Sequence, residues 1–248
     1  MYRFDSRVRY SEVDSEGRLS LESLLDYFQD CSTFQSEDLG IGVAYLAKRK
    51  LAWVLSAWQI VVGRYPGLGE RVSVGTEPYE LKGFIGYRNF LMDGEGGERL
   101  AWGNSVWTLV DMESARPVKA TERMQEAYGL GERLDMDYAP RKIALPQGEG
   151  SRREAVEIKR HHLDTNRHVN NGQYVRLAME YLEEGRFVRQ MRAEYKKQAL
   201  LGERLYPVVY RGDGVTAVSL EQADGKPYCV VEFMQDERQG GDVCDSVR

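Results

Sequence analysis

The sequence predicts an α+β protein made of two copies of one unit. Residues 13–18 (VDSEGR) and residues 163–168 (LDTNRH) align at an offset of 150, and a run with helical spacing follows each of them. Residues 68–72 and residues 201–205 align in the same order at an offset of 133. After each helical run come short apolar segments divided by glycine-containing turns, which is the pattern of antiparallel hairpins with one apolar face. We expect each helix to cover that face.

The first unit is predicted to contain a strand, a helix and four further strands. Leu21, Leu24, Leu25 and Phe28 fall at i, i+3, i+4 and i+7, which is the spacing of one helix face, and Ser20 fits the N-cap position. The strands are predicted at residues 2–10, 52–65, 71–77, 85–93 and 100–110.

The second unit repeats this order. Its helix is predicted from four apolar residues at the same spacing: Val175, Ala178, Met179 and Leu182. Asn170 or Asn171 is the N-cap candidate, and Gly185 ends the helix. The strands are predicted at residues 155–161, 191–200, 204–211, 215–222 and 228–234. Because the two offsets differ by 17 residues, we expect extra chain in the first unit around residues 31–50.

The two units define the predicted domains. A short helix at residues 122–128, capped by Thr121, and a stretch rich in proline and glycine at residues 138–150 bridge the copies. We therefore expect an N-terminal domain at residues 1–137, a linker at 138–152 and a C-terminal domain at 153–248.

Composition excludes several classes of protein. The net charge is −5 and no long basic block is present, so nucleic-acid binding is not expected. No apolar run approaches the roughly 20 residues that span a bilayer, and the first residues lack a signal-peptide pattern, so we expect a cytoplasmic protein away from membranes. Cys31, Cys229 and Cys244 form no C-x-x-C pair, which argues against a disulfide scaffold or a thiolate zinc site.

Proton-handling side chains precede the second helix. Asp164, Asn166 and His168 stand at alternate positions, directly before a helix start whose backbone N–H groups lack helical partners. His168 is the best general acid or base, and Asp164 is placed to orient its ring. Asn166 can hold a water or a carbonyl oxygen, and the first-turn amides can receive an oxyanion beside Gly172. This set predicts hydrolysis of an acyl compound.

The first unit provides an internal control for this interpretation. Asp and Asn are common in turns and caps, so a D-x-N-x-H segment alone is more often structural. The first unit keeps Asp14 but has Glu16 and Arg18 where the second has Asn166 and His168. We therefore expect Asp164 to be partly structural and His168 to be functional.

Two neighbouring patterns have structural alternatives. His161, His162, Asp164 and His168 lack a helical H-x-x-x-H pair, so we expect no metal. If residues 194–198 are a strand, Glu194 and Gln198 share a face, which is either a solvated charged edge or a route for Gln198 to the active loop.

Tryptophans mark the core of the first unit. Trp53, Trp58 and Tyr65, together with Trp102 and Trp107, are expected to be core residues, and some of them are expected to line a slot for an acyl chain.

The chain resembles the acyl-acyl carrier protein thioesterases, which include the plant plastid enzymes that release free fatty acids. The matching segments are residues 51–66, residues 104–107 and residues 163–174. The resemblance implies a tandem double hotdog fold, each repeat a long helix wrapped by an antiparallel sheet. It also implies hydrolysis of a phosphopantetheine-linked acyl chain on acyl carrier protein, in fatty acid biosynthesis and without cofactor or metal.

The resemblance assigns the motif Asp, Asn and His to Asp164, Asn166 and His168. A downstream Glu-Cys pair of the family falls on Gln198 and Ala199, and here the sequence departs from the pattern. Ala199 has no thiol, and the Gln198 amide does not titrate usefully. We expect water to attack the thioester, with Gln198 and Asn166 placing the water or the carbonyl.

Three basic clusters are candidates for docking the acidic carrier: Lys48-Arg49-Lys50, the set Arg186, Arg189 and Arg192, and Lys196-Lys197. Two other functions stay open. One is a thioesterase for coenzyme A esters on the same fold, and the other is a non-catalytic protein that binds acyl chains or their carrier. A dehydratase of related fold is less expected. Because duplication already supplies two units, a homodimer is compatible with the sequence but not required.

Overall fold

The computed structural model describes residues 1–164, 167–183 and 185–237. The first repeat contains the predicted elements, with α2 and β6 in addition. Its elements are β1 (Tyr2–Arg7), α1 (Leu21–Asp38), α2 (Val43–Lys48), β2 (Leu51–Val62), β3 (Arg71–Lys82), β4 (Ile85–Gly94), β5 (Arg99–Asp111), β6 (Arg116–Pro117) and α3 (Glu122–Tyr128). Ser20 caps α1, because its hydroxyl accepts the N–H of Ser23.

The second repeat has the same order with a shorter helix. Its elements are β7 (Ser151–Arg152), β8 (Val156–Glu157), α4 (Asn171–Met179), β9 (Arg186–Tyr195), β10 (Arg204–Gly212), β11 (Val215–Glu221) and β12 (Pro227–Glu237). α4 has 9 residues where α1 has 18. The last turns of α1 and the whole of α2 are the extra chain expected around residues 31–50.

One sheet runs through both repeats. The described strands follow the order β1-β3-β4-β5-β2-β9-β12-β11-β10-β7, with β6 beside β5 and β8 beside β10, and their pairings are antiparallel. The repeats meet at β2 and β9, where Ala57 pairs with Glu194 and Val61 with Gln190. The antiparallel hairpins predicted from the glycine turns are therefore confirmed.

The helices pack on the inner face of this sheet. Phe28 of α1 is fully buried against Phe90, with ring centroids 5.2 Å apart, and Trp58 lies 4.8 Å from Phe90. Arg176 of α4 pairs with Glu22 of α1 at 3.2 Å. A Cβ added to Gly172 would lie 3.8 Å from Asp26 Oδ1. Residues 22 and 26 correspond to 172 and 176 at the offset of 150, so the antiparallel helices are related by a local twofold axis.

Two strand predictions are wrong. β9 begins at Arg186 and ends at Tyr195, five residues before the predicted span of 191–200. β8 has two residues, because the chain then forms a turn at Arg160–His162 in which His162 Nδ1 accepts the N–H of Lys159 at 3.0 Å.

The linker between the repeats crosses the outer face of the sheet. Gln59 Oε1 accepts the N–H of Ala139 at 2.9 Å, and Asn89 Oδ1 accepts that of Leu134 at 3.0 Å. Glu194 Oε2 accepts the N–H of Ile143 at 3.1 Å. The charged-edge interpretation of Glu194 is therefore wrong, because its carboxylate is buried on a central strand and satisfies linker backbone.

Among the described helices, none combines the length and apolar character needed to cross a bilayer.

Candidate active site

A closed loop precedes α4 and carries the predicted site residues. The N–H of Asp164 donates to His168 O at 2.8 Å, and the N–H of His168 donates back to Asp164 Oδ1 at 3.1 Å. Leu163 and Val169 form a β-bridge at the base of the loop. Asp164 thus shapes the loop through the backbone, as the sequence predicts for a partly structural residue. Asn166 lies outside the described residues.

The first repeat builds the same loop before α1. The N–H of Asp14 donates to Arg18 O at 2.8 Å, and the N–H of Arg18 donates to Asp14 Oδ1 at 3.0 Å. Val13 and Leu19 bridge at its base. The alignment of the two segments is therefore a likeness of structure as well as sequence.

A second segment anchors the loop. Val169 donates its N–H to Ala199 O at 3.1 Å, and His168 forms a β-bridge with Leu200. In the first repeat Leu19 donates to Pro66 O at 2.8 Å, and Arg18 bridges to Gly67. The offset of 133 relates these anchors, which confirms the second alignment.

The imidazole of His168 is partly buried at the centre of this arrangement. Its Nδ1 is buried and has no hydrogen-bond partner in the described part of the chain. An unpaired buried polar group costs about 1–3 kcal/mol and calls for an explanation, of which a catalytic role is one. Arg18 Nε at the corresponding position is unpaired too, but that guanidinium forms an ion pair with Glu16. The two loops differ in the chemistry of the group they present.

Gln198 lies two residues from the anchor of the loop. The strand ends at Tyr195, so the strand alternation that relates Gln198 to Glu194 does not reach it. Gln198 is exposed, and the described residues show no hydrogen bond between it and His168. Ala199 is fully buried, and its N–H donates to the Tyr174 hydroxyl at 2.8 Å.

The start of α4 is capped by Asn170, one of the two predicted candidates. Asn170 Oδ1 accepts the N–H of Gly172 at 2.8 Å, and Asn170 O accepts that of Gln173 at 3.0 Å. Two amides of the first turn are thus already bonded. Fewer N–H groups of the first turn can therefore bind an oxyanion than the sequence predicts.

A carboxyl of the first repeat faces this helix start. Asp26 lies beside Gly172, and partial desolvation of its carboxyl raises its pKa to about 6, with further contributions from the negative charges of Glu22, Asp30 and Glu12. A carboxyl that titrates this close to neutrality is typical of functional sites. No pattern in the sequence points to Asp26, because it stands on α1, far along the chain from the loop.

A cavity of about 560 Å³ lies in the first repeat, between α2, the second half of α1 and the sheet. Trp53 and Trp107 line it, as predicted for part of the aromatic set, whereas Trp58 belongs to the core. His168 is not among the residues that line this cavity.

Arg88 gives the cavity a buried positive charge. Its side chain is 7% exposed, and Nη1 donates to Gln35 Oε1 and, at 3.1 Å, to Thr76 Oγ1. Burial lowers its pKa from the ordinary value, and no described carboxylate forms an ion pair with it. The described residues hold no group of three or more His, Cys, Asp or Glu side chains suited to a metal ion.

Comparison with known proteins defines the class first. The fold is that of solved double hotdog proteins: a Bacteroides thetaiotaomicron acyl-ACP thioesterase superposes with a TM-score of 0.85 at 20% identity, covering 94% of this chain and 97% of that one. A 12:0-ACP thioesterase of Umbellularia californica gives 0.84 at 18%, covering 96% and 97%. The predicted α+β tandem double hotdog is confirmed.

The chain belongs to the acyl-ACP thioesterase family. The model of the family's N-terminal domain matches residues 1–128, and that of its C-terminal domain matches residues 147–229. A chloroplastic acyl-[acyl-carrier-protein] hydrolase of Cuphea viscosissima is 26% identical over 192 residues, 72% of this chain and 45% of the relative. A chloroplastic palmitoyl-acyl carrier protein thioesterase of Arabidopsis thaliana is 25% identical over 215 residues, 80% and 52%. The chain spans about half the length of these relatives.

Proposed function

We propose that the protein hydrolyses the thioester of fatty acyl chains carried on the phosphopantetheine arm of acyl carrier protein, and so releases free fatty acid in fatty acid biosynthesis. The observation that carries this proposal is the His168 loop. An imidazole with a buried nitrogen that no described residue bonds stands at a helix start in one repeat, and an ion-paired arginine stands in the other. Membership of the acyl-ACP thioesterase family and the activities of relatives in that family support the same reaction.

The chemistry assigns His168 both proton transfers. His168 takes a proton from water, the water oxygen bonds to the carbonyl carbon, and the carbon–sulfur bond breaks. The thiolate then receives the proton from His168. Asp164 holds the loop that carries the ring, while Asn166 and Gln198 are proposed to place the water or the carbonyl. No cofactor or metal is needed for these steps.

The cavity of the first repeat is the proposed acyl site. α1 and α4 run antiparallel, with Arg176 beside Glu22 and Gly172 beside Asp26. The chain before Gly172 therefore points along α1 towards its second half, where Ser32, Thr33 and Ser36 line the cavity. This direction supports a path from the thioester at His168 into the cavity, in the proposed N-terminal domain at residues 1–137, while the domain at residues 153–248 supplies the loop.

We propose that the reaction takes place in the cytoplasm and within a single chain. The described cysteines Cys31 and Cys229 are free and buried, which is the state expected in the reducing cytoplasm. A substrate site assembled from both repeats of one chain supports activity without a homodimer.

Thiol release from a series of acyl-acyl carrier proteins and acyl-coenzyme A esters of matched chain length tests the proposal. We expect faster release from the carrier protein, and at least ~10²-fold slower turnover in His168→Ala. Preference for coenzyme A would favour the second enzyme. Tight binding of acyl carrier protein without thiol release would favour the non-catalytic binding protein.

A further inference from the structure

The surface around the two loops differs in charge between the repeats. We define the loop rim as Arg160, Arg167 and Lys197, all of which are exposed. The offsets place Tyr10, Gly17 and Arg64 at the corresponding positions of the first repeat. Two of the three cations of the loop rim are therefore present in the second repeat alone.

Cations around the first loop are neutralised. Arg18 pairs with Glu16, and Arg9 pairs with Glu12. Arg64 pairs with Glu70 at 2.6 Å and with Glu98 at 3.0 Å. The second repeat has His162 and Asn166 in place of Glu12 and Glu16, so two acids of the first loop have no acidic counterpart. Glu203, the counterpart of Glu70, is kept and accepts the N–H of Leu200 at 2.7 Å.

The three cations of the loop rim form no ion pair with any residue that the structure describes. Lys197 donates to the neutral Gln222 amide at 2.6 Å and lies 5.2 Å from the centre of the Tyr228 ring. Unpaired cations grouped at one place on a chain of net charge −5 form a local positive field on an otherwise negative protein.

Arg167 is held in a backbone conformation that suits glycine. Its φ is 63°, and its counterpart Gly17 has a φ of 74°. The left-handed region is unfavourable for a non-glycine residue, because its Cβ comes too close to the following carbonyl oxygen. Arginine has no short side chain that would offset this cost by a local hydrogen bond, as Asn or Asp has. The chain keeps the arginine at a cost in stability, which is expected where the side chain serves binding.

The other basic clusters of the sequence are neutralised, except for Lys48 and Arg49 at the end of α2, which form no ion pair with a described residue. Three arginines of β9 pair with acids: Arg186 with Glu183 at 2.7 Å, Arg189 with Asp236 at 3.0 Å and Arg192 with Glu232 at 2.8 Å. Lys50 pairs with Glu113, and Lys196 pairs with Glu194 at 3.0 Å. Of the candidate docking clusters, only Lys197 remains as part of an unpaired group around the loop.

Exposed apolar side chains accompany the loop rim. Leu200 and Leu201 are 48% and 53% exposed, and Leu200 is bridged to His168. An apolar centre with a charged border is the usual composition of a protein–protein interface. The counterparts are Gly67 and Leu68, so the second repeat has the larger apolar surface at this place.

We propose that the loop rim docks the acidic surface of the acyl carrier protein, with Leu200 and Leu201 at the centre of the contact. Docking here places the phosphopantetheine arm at His168. This inference rests on the proposed function, because it assumes that the acyl chain of the substrate is carried on acyl carrier protein.

Exchange of residues between the repeats tests this docking surface. Arg167→Gly gives the second loop the residue of the first, and Arg160→Glu reverses a charge. For each variant we expect the KM for acyl-acyl carrier protein at low salt to rise about 10-fold more than the KM for the acyl ester of N-acetylcysteamine, a small neutral thioester. Arg167→Gly should unfold at the same or a higher temperature, since it removes backbone strain. Tyr10→Glu in the first repeat is the matched control and should leave both KM values unchanged.

Three outcomes would overturn the inference or separate it from the proposed function. Unchanged KM for the carrier substrate in both variants would place docking elsewhere. An equal loss on both substrates would mean that these residues shape the catalytic loop instead. If the native chain hydrolyses neither thioester, the proposed function fails, and calorimetric titration with acyl-acyl carrier protein then decides the docking surface: weaker binding by Arg167→Gly supports it, and equal binding overturns it.

Discussion

The loops before α1 and α4 have one backbone and two chemistries. Asp14 and Asp164 each accept the N–H of the residue four positions on, and each loop is anchored by a bridge to the strand-end segment of its own repeat. The last loop residue is Arg18 in one case and His168 in the other. The aspartate therefore belongs to the shared structure of the loop. The last loop residue, Arg18 or His168, decides whether the loop can transfer protons.

The helix starts differ in the same sense. At the first, Glu22 of α1 pairs with Arg176 of α4 at 3.2 Å, so opposite charges fill the space. At the second, the corresponding residues are Gly172 and Asp26, with no side chain on the glycine and a carboxyl facing it. The twofold axis thus relates a site closed by an ion pair to one that stays open for a ligand.

Removal of the ring from the open site should have the largest effect. We expect His168→Ala to lower kcat by at least ~10²-fold, because the proposed reaction assigns both proton transfers to this imidazole. Arg18→Ala at the corresponding position should leave kcat within about twofold, since the proposed reaction uses only the second loop. Steady-state thiol release measures both. Equal losses in the two variants would mean that both positions act through loop structure.

Amide replacements at the two aspartates should separate scaffold from chemistry. Each of Asp14→Asn and Asp164→Asn weakens a charged acceptor of loop N–H groups, so each should lower the free energy of unfolding by about 1–2 kcal/mol. Only Asp164→Asn should also slow thiol release. Urea denaturation and kinetics on the same preparations measure the two effects. A stability loss confined to one of the variants would contradict the shared backbone role.

Duplication made most of the fold predictable from sequence. Two short alignments, the helical spacing after Ser20 and the glycine turns were sufficient for the order of elements, and His168 stood out because the other copy has Arg18. These are local signals, which survive in a single sequence. The bounds of β9 are five residues out, and Glu194 resembles a solvated edge residue unless its linker partner Ile143 is known.

The rest of the site depends on contacts between distant segments. Asp26 reaches the start of α4 only because the helices pack about a twofold axis, and the cavity beside Arg88 needs α1, α2 and the sheet together. From the sequence, all first-turn N–H groups of α4 are candidates for binding an oxyanion, because Asn170 and Asn171 both fit the N-cap position. In the structure, the N–H of Gly172 donates to Asn170 Oδ1.

The two caps provide a smaller test of the comparison. Ser20→Ala and Asn170→Ala each remove a side-chain acceptor from a first-turn N–H, so each should lower the free energy of unfolding by about 1 kcal/mol. Asn170→Ala also frees the Gly172 amide beside the proposed reaction centre. Thermal unfolding measures the first effect, and the ratio of kcat between the variants measures the second. Identical kcat values would exclude the Gly172 amide from oxyanion binding.

The smallest expected effect is the pH dependence that Asp26 gives to stability. Its folded pKa of about 6 exceeds the ordinary value of 3.8, so the folded chain binds this proton more tightly than the unfolded chain. The contribution of this group to stability is therefore fully present below about pH 4 and is lost as the pH rises towards 6 and beyond.

Asp26→Asn should flatten the stability profile between these values. It should also raise stability at pH 7, because it removes a negative charge that is partly desolvated and is repelled by Glu22, Asp30 and Glu12. Urea denaturation at intervals of one pH unit measures the difference between variant and native chain, in which the other titrating groups cancel. Arg176→Gln, at the corresponding position, should keep the slope; a variant of Asp26 with the native profile would show that its carboxyl titrates as an ordinary surface acid.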